Sequence, residues 1–154
     1  MDLDVIQREA DAYFERNKAR MSYQSPSNGI QLFSEFYDRC SDKVHIQDFF
    51  EVGCSAGFNL AYLSQKYQMH CYGIDPSPLA VEYGQKHFMR DGHLIEIKCG
   101  FSNCLTYADS SFDAVYLGFC LYQVERGLLF KTFSECDRVL RGGYLINYRF
   151  RYPS

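Results

Sequence analysis

The residues best suited to chemistry lie in E-V-G-C-S-A-G (51–57), where Glu51 precedes a cluster of small residues, Gly53, Ser55, Ala56 and Gly57. Phe49, Phe50 and Val52 are bulky and β-prone, so they lead into this cluster as a strand over 48–52. An apolar helical pattern follows at Phe58, Leu60, Ala61, Leu63 and Tyr67. Strand, small-residue turn and helix place free backbone N–H groups and the positive end of a helix dipole at one spot. Small side chains there let a ligand approach the backbone closely. A second acid, Asp75, stands 22 residues beyond Gly53, at the tip of the next expected strand. Its carboxylate offers two acceptor oxygens to the vicinal hydroxyls of a ribose. This spacing suits a ligand that carries a nucleoside. The bland alternatives are a tight turn that binds nothing and an Asp75 that only opens a turn with Pro76.

The elements that must position these groups follow from periodicity. Residues 3–20 read as an amphipathic helix with Leu3, Ile6, Ala10, Tyr13, Phe14 and Asn17 on one face. Residues 22–29 read as a loop, broken by Pro26 and Asn28-Gly29. A second helix spans about 30–40, with Ile30, Phe33, Phe36 and Tyr37 aligned. Further strands are expected at 69–74, 94–99, 112–118 and 144–150. The alternation in 94–99 marks a sheet edge. Ser77 and Pro78 open a helix as cap and first-turn residue, with Ala80, Val81, Tyr83, Gly84, His87 and Phe88 on its buried side. A last helix covers about 126–141. Leu129, Phe130, Phe133, Cys136, Val139 and Leu140 face inward, and Gly142-Gly143 acts as a left-handed stop. Alternating strands and helices predict an α/β fold: a doubly wound, mainly parallel sheet of five strands in the order 3-2-1-4-5, with helices on both faces. The ligand then sits beyond the carboxyl ends of the strands, where strand order reverses.

Composition bounds the function. A chain of 154 residues, 47% hydrophobic, fits one globular domain, and its 13 Tyr and 13 Phe promise an aromatic core and pocket. The net charge of −3 argues against a nucleic-acid partner. No apolar run reaches the roughly 18 residues of a membrane span. The charged first 20 residues do not read as a signal peptide. Seven cysteines, an odd number without C-x-x-C, point to a reducing cytoplasm, and the histidines show no metal-ligand spacing.

The dinucleotide fingerprint requires a small residue at the sixth place from Gly53, where this chain has Phe58, so a nicotinamide oxidoreductase is the weaker reading. The acid-x-Gly-x-small-x-Gly pattern instead resembles the first motif of the Rossmann-like, class I methyltransferases that use S-adenosylmethionine. G-I-D-P-S (73–77) looks like their second motif. L-T-Y-A-D-S-S-F-D-A-V (105–115), L-G-F-C-L-Y-Q-V (117–124) and R-V-L-R-G-G-Y-L (138–145) resemble their later segments in the same order. The resemblance implies that Glu51, Gly53, Cys54 and Ser55 bind the methionine end of S-adenosylmethionine, with Gly57 also in the cofactor-binding motif. Asp75 would hold the ribose and Pro76 would lie beside the adenine. Phe101 takes a place that often holds an acid, so it would pack on the ring while Ser102 supplies a hydrogen bond. Leu117 would approach the methionine amino group through its backbone.

The resemblance also implies a methyl transfer to a small-molecule acceptor. E-A-D-A-Y-F-E-R-N-K-A-R (9–20) resembles the start of sugar and nucleotide-sugar methyltransferases. Many relatives have a histidine pair where this chain has Tyr122-Gln123. Tyr13, Tyr122 and Gln123 are therefore the candidates near the transferred methyl; each has a packing or capping alternative. Arg16-Asn17-Lys18 is a solvated face or a contact for an anionic substrate. The whole reads as one domain over 1–154, with N-terminal helices (1–41) covering the site of a Rossmann-like core (48–150). The family's last two strands are missing from this sequence. The uncovered fifth strand is expected to pair with another chain, as in a homodimer through its edge, to fray, or to be covered by the N-terminal segment; a cofactor-binding module serving a partner protein is the alternative function.

Overall fold

The computed structural model describes residues 2–89, 94–118 and 120–148. Helix α1 (Leu3–Asn17) runs through a 3-10 turn (Lys18–Arg20) toward α2 (Asn28–Cys40). Then come β1 (Asp48–Val52), α3 (Phe58–Tyr67), β2 (His70–Asp75), α4 (Pro78–His87), β3 (Ile95–Cys99), β4 (Phe112–Gly118), α5 (Leu129–Val139) and β5 (Leu140–Tyr148). The strands pair in parallel in the order β3-β2-β1-β4-β5, as the sequence predicts.

Period-two alternation sends neighbouring side chains of β1 to opposite faces. Phe49 joins Ile30, Phe33, Leu60, Leu63, Val81 and Phe88, so α2, α3 and α4 cover one face. Phe50 and Val52 join Phe112, Leu117, Cys136 and Val139, so α5 covers the other. Register aligns the strand ends: Val52 lies opposite both Ile74 and Leu117, and Asp75 opposite Cys99. Gly53, Asp75, Gly100 and Gly118 therefore emerge along one rim.

Several expectations need correction. Asn28 and Gly29 do not break the chain; they form the first turn of α2, where N–H groups need no intrahelical partner. Phe36 is 54% exposed, and Phe130 is 86% exposed. On α5 the buried stripe is Thr132, Glu135, Cys136 and Val139, offset around the helix from the expected aromatic one. His87 is exposed and stacks on Tyr83 at 3.9 Å. Gly142-Gly143 is no helix stop, because α5 ends at Val139 and passes directly into β5. Gly142, at φ +62°, instead occupies an irregularity of β5. There the step from Leu140 to Tyr144 spans the partners Phe112 and Ala114, which is a bulge.

Among the described residues β5 pairs only with β4, and Tyr144 and Leu145 are exposed. Arg149 and Phe150 of the expected strand lie outside the described residues, as does Phe119. No described helix is long and apolar enough to cross a membrane.

Candidate functional site

The turn after β1 needs left-handed backbone three times in five residues: Gly53 at φ 76°, Ser55 at φ 49° and Gly57 at φ 78°. Glycine adopts this conformation without penalty, and serine pays roughly 1 kcal/mol for it. At Gly53 even space forbids a side chain, since a Cβ would stand 2.7 Å from that of Cys120. Gly53 and Cys54 donate their N–H groups to the Ile74 carbonyl at 2.9 and 3.0 Å. Ser55 N–H donates to Asp75 Oδ2 at 2.7 Å, and Gly57 N–H to the Cys54 carbonyl at 2.9 Å. The expectation of free N–H groups is therefore not met at these four residues, which bind the turn to itself and to the end of β2.

Asp75 does two things at once. Its Oδ1 accepts the Ser77 N–H at 2.9 Å, so both carboxylate oxygens already hold a backbone donor. Each keeps a lone pair for a ligand. Burial pushes its carboxyl above the usual range, against the pull of the Ser77 and Ser55 N–H groups. Ser77 caps α4 through Ala80 N–H, and its hydroxyl donates to Asp11 Oδ1, which also accepts Leu79 N–H at 3.2 Å. An α1 carboxylate thus sits at the N-terminus of α4, where the helix dipole favours it. That fastening holds α1 across the rim.

Beneath it lies a cavity of about 480 Å³. Glu51, Gly53, Cys54, Ser55, Asp75, Pro76, Phe101 and Ser102 line it, as do Tyr13, Tyr122 and Gln123. Two sequence-derived residues do not. Gly57 is buried behind the wall as the N-cap of α3, and Leu117 is fully buried in the core while Gly118 takes the wall position. Ser102 Oγ shares a hydrogen bond with Thr132 Oγ1 at 3.0 Å. Gln123 Nε2 donates to the Tyr122 hydroxyl at 3.2 Å. Burial, then Tyr122 and Asp75, raise the Tyr13 phenol. Burial likewise raises the Cys54 thiol, which leaves it a poor nucleophile at neutral pH.

Glu51 is the exceptional group. It is 2% exposed, its Oε1 accepts Asn59 Nδ2 at 2.8 Å, and its Oε2 is buried without a partner. Burial pushes its carboxyl up to about 8, with the Asn59 hydrogen bond pulling down and Asp75 pushing up. Asn59 in turn accepts Ser27 N–H at 3.0 Å. Sequence reading missed Asn59, although a polar residue one turn past the glycines in an otherwise apolar stretch was a usable signal. It also missed the wall residues Arg20, Met21 and Ser27, which reach the site only because the 20–27 segment folds over it.

This geometry fits a nucleoside-bearing amino acid: an orphaned buried carboxylate oxygen for a cation, an acid at the end of β2, and Pro76 and Phe101 as apolar flanks. The comparisons agree with it. A methyltransferase domain model matches residues 50–147. A phosphoethanolamine N-methyltransferase of Triticum aestivum is 28% identical over 110 residues, which cover 71% of this chain. The chain spans only 22% of that relative's length. A solved protein of Methanococcus maripaludis, assigned as an S-adenosyl-L-methionine-dependent methyltransferase, superposes with a TM-score of 0.69 at 17% identity, over 96% of this chain and 65% of its own. A methyltransferase in complex with the Trm112 activator of Haloferax volcanii gives 0.67 at 19% identity, over 90% of this chain and 58% of its own. At these identities the solved structures speak for the fold.

Proposed function

We propose, from the premise that this chain belongs to the methyltransferase domain family, that it binds S-adenosylmethionine and directs its methyl group to a small-molecule acceptor in the cavity. The observation that carries the reading is Glu51, whose unpartnered Oε2 suits the α-ammonium of a methionine moiety. Bound there, S-adenosylmethionine supplies an electrophilic methyl group on a sulfonium that is already an excellent leaving group. Gly53, Cys54, Ser55 and Gly118 would border the methionine end, and Asp75 the ribose. Pro76 and Phe101 would flank the adenine, with Ser102 beside it, while Gly57 shapes the turn from behind. The chain's own task is then to align the acceptor and exclude water, which α1 does by covering the rim.

The raised Tyr13 phenol keeps its proton at neutral pH, so its role in this reading is to donate a hydrogen bond rather than to act as a base. Tyr122 and Gln123, joined to each other, would complete the acceptor's side. The name of the wheat relative favours a phosphorylated amine as acceptor over the sugar or nucleotide-sugar expected from residues 9–20. Seven unbridged cysteines support the cytoplasm as its compartment.

The test is calorimetric titration with S-adenosylmethionine, S-adenosylhomocysteine and NADH. The first two bind and NADH does not. Tight NADH binding with no response to S-adenosylhomocysteine would overturn the reading.

A second reading, a module completed by another chain, has one observation in its favour. Among the described residues the outer edge of β5 has no partner strand, and exposed Tyr144 and Leu145 lie beside exposed Leu32 and Phe36 of α2 around one apolar cleft. A second copy is the occupant in this reading. Light scattering across a dilution series checks it; a mass independent of concentration and equal to one chain removes it.

A further inference from the structure

Among the described residues Arg20 is the only Lys or Arg on the cavity wall, which otherwise carries the acids Glu51, Asp75 and Glu125. Its guanidinium makes no ion pair or hydrogen bond among the described residues, whereas nearby Lys18 pairs with Glu15 at 2.7 Å. Arg16, Asn17 and Lys18 do not line the cavity, in keeping with the solvated-face alternative for 16–18. The segment that Arg20 opens is pinned to the floor of the site at two points. Ser55 Oγ contacts Met21 Sδ at 4.0 Å, and Ser27 N–H reaches Asn59, the partner of Glu51. Between these points Ser22 and Ser25 form a bridge, tightened by Gln24 N–H donating to Ser22 Oγ at 3.1 Å. Ser27 Oγ, on the same wall, is buried with no hydrogen-bond partner.

A guanidinium unpaired among the described residues and carried on a pinned segment, together with an unused buried hydroxyl on the same wall, is the chemistry that recognises an oxyanion. We propose that Arg20 and Ser27 form the seat for an anionic group of the methyl acceptor, a phosphate, phosphonate or carboxylate. The proposal rests on the methyltransferase reading for the word acceptor, but the seat itself is a property of residues 20–27. Arg20 is the cation on this wall among the described residues, and it attracts an anion to the 20–27 side of the cavity. The acceptor is thereby oriented with its anion on the 20–27 segment and its nucleophile toward the methyl group. Arg20 is in this sense a specificity residue that selects acceptors by charge.

The experiment titrates the 154-residue protein, alone and saturated with S-adenosylhomocysteine, with O-phosphorylethanolamine, inorganic phosphate and ethanolamine. Both anionic probes bind, ethanolamine binds at least about tenfold more weakly, and binding of the anions weakens as salt rises. Arg20→Gln weakens both anionic probes by about tenfold or more and removes the salt dependence, while Arg20→Lys keeps part of the affinity because it keeps the charge. Ser27→Ala weakens them by a smaller factor, about threefold to tenfold. S-adenosylhomocysteine affinity stays unchanged in Arg20→Gln; a loss there as large as the loss for the anionic probes would give the seat to the cofactor's own carboxylate and overturn the proposal. Arg20 is exposed and has no partner among the described residues, so its loss leaves the fold intact. Equal anion binding by wild type and Arg20→Gln overturns the proposal, as does failure of the wild type to bind either anionic probe. If S-adenosylhomocysteine does not bind but the anions still distinguish Arg20→Gln, the cofactor reading falls and the anion seat stands.

Discussion

Glu51 and Glu135 are both glutamates buried to within a few per cent of full enclosure, one on β1 facing α3, the other on α5 facing the loop after β3. Their surroundings are opposite. Glu135 Oε2 accepts Leu105 N–H and Arg138 Nη2, each at 2.9 Å, while Oε1 accepts Arg138 Nε at 3.2 Å and Lys131 Nζ at 3.3 Å. Arg138 also holds the carbonyls of Leu105 and Tyr107 and the carboxylate of Asp109. Chiefly through Arg138, the Glu135 carboxyl is held down to about 2. Glu51 has one neutral donor, no cation and an idle oxygen. The fold can surround a buried acid with partners, and at Glu135 it does so to pin a loop. At Glu51 the partner is left out at the point where the cavity begins. A buried acid without its cation is destabilising by itself, so its natural complement is a ligand that brings one.

The comparison is broken most directly by removing each acid in turn. Glu51→Ala is expected to weaken S-adenosylhomocysteine binding by about a hundredfold, the effect of losing one charge-assisted contact in a dry site. Calorimetry reads it, and an unchanged affinity would reduce Glu51 to a packing residue. Glu135→Ala is expected to act on the fold instead, lowering the unfolding free energy by about 2 kcal/mol as the Leu105 N–H and Arg138 lose their acceptor. Urea melts measure this. A variant as stable as wild type would show that the Glu135 cluster is surface decoration.

Acidity sharpens the same contrast with opposite signs. The folded protein keeps a proton on Glu51 between its ordinary carboxyl value of 4.5 and about 8, where the unfolded chain has already released it. Stability from this group is therefore full below the lower value and is lost as pH rises through the upper one, at a slope of up to about 1.4 kcal/mol per pH unit. Glu135 does the reverse: its contribution is full above 4.5 and is lost as pH falls toward about 2. Thermal melts across pH should show Glu51→Gln flattening only the neutral window and Glu135→Gln only the acid one. Asp75, also raised by burial, leaves in both variants a residual slope of the Glu51 sign that begins at its ordinary value of 3.8. Identical profiles for the two variants would erase the distinction between them.

The sequence carried the glycine turn, the acid at the end of β2, the Ser77 cap and the strand order, because each is written in local spacing. Small residues at 53–57 tolerate left-handed backbone wherever they occur, and alternating apolar residues must turn to opposite faces of a sheet. Most of the cavity wall was legible for the same reason, apart from Leu117 and Gly57, which stand one layer behind it.

Burial was less legible, because it depends on which neighbour arrives. Phe36 and Phe130 fit an apolar stripe but meet no cover among the described residues, whereas Thr132 and Glu135 do not fit one and are enclosed. Gly142 reads as a helix stop until β5 is seen to bulge against β4 at that place.

By itself, then, the sequence determined the family, the sheet and the positions that face the rim, since these follow from period, propensity and turn chemistry along the chain. Tertiary structure alone decided that Asn59 would satisfy half of Glu51 and leave the other half idle. It alone brought Arg20 and Ser27, some thirty residues before the glycine turn, onto the cavity wall. The physical reason is that a polar group's energy is set by the partners and water that surround it in three dimensions, which no one-dimensional spacing encodes.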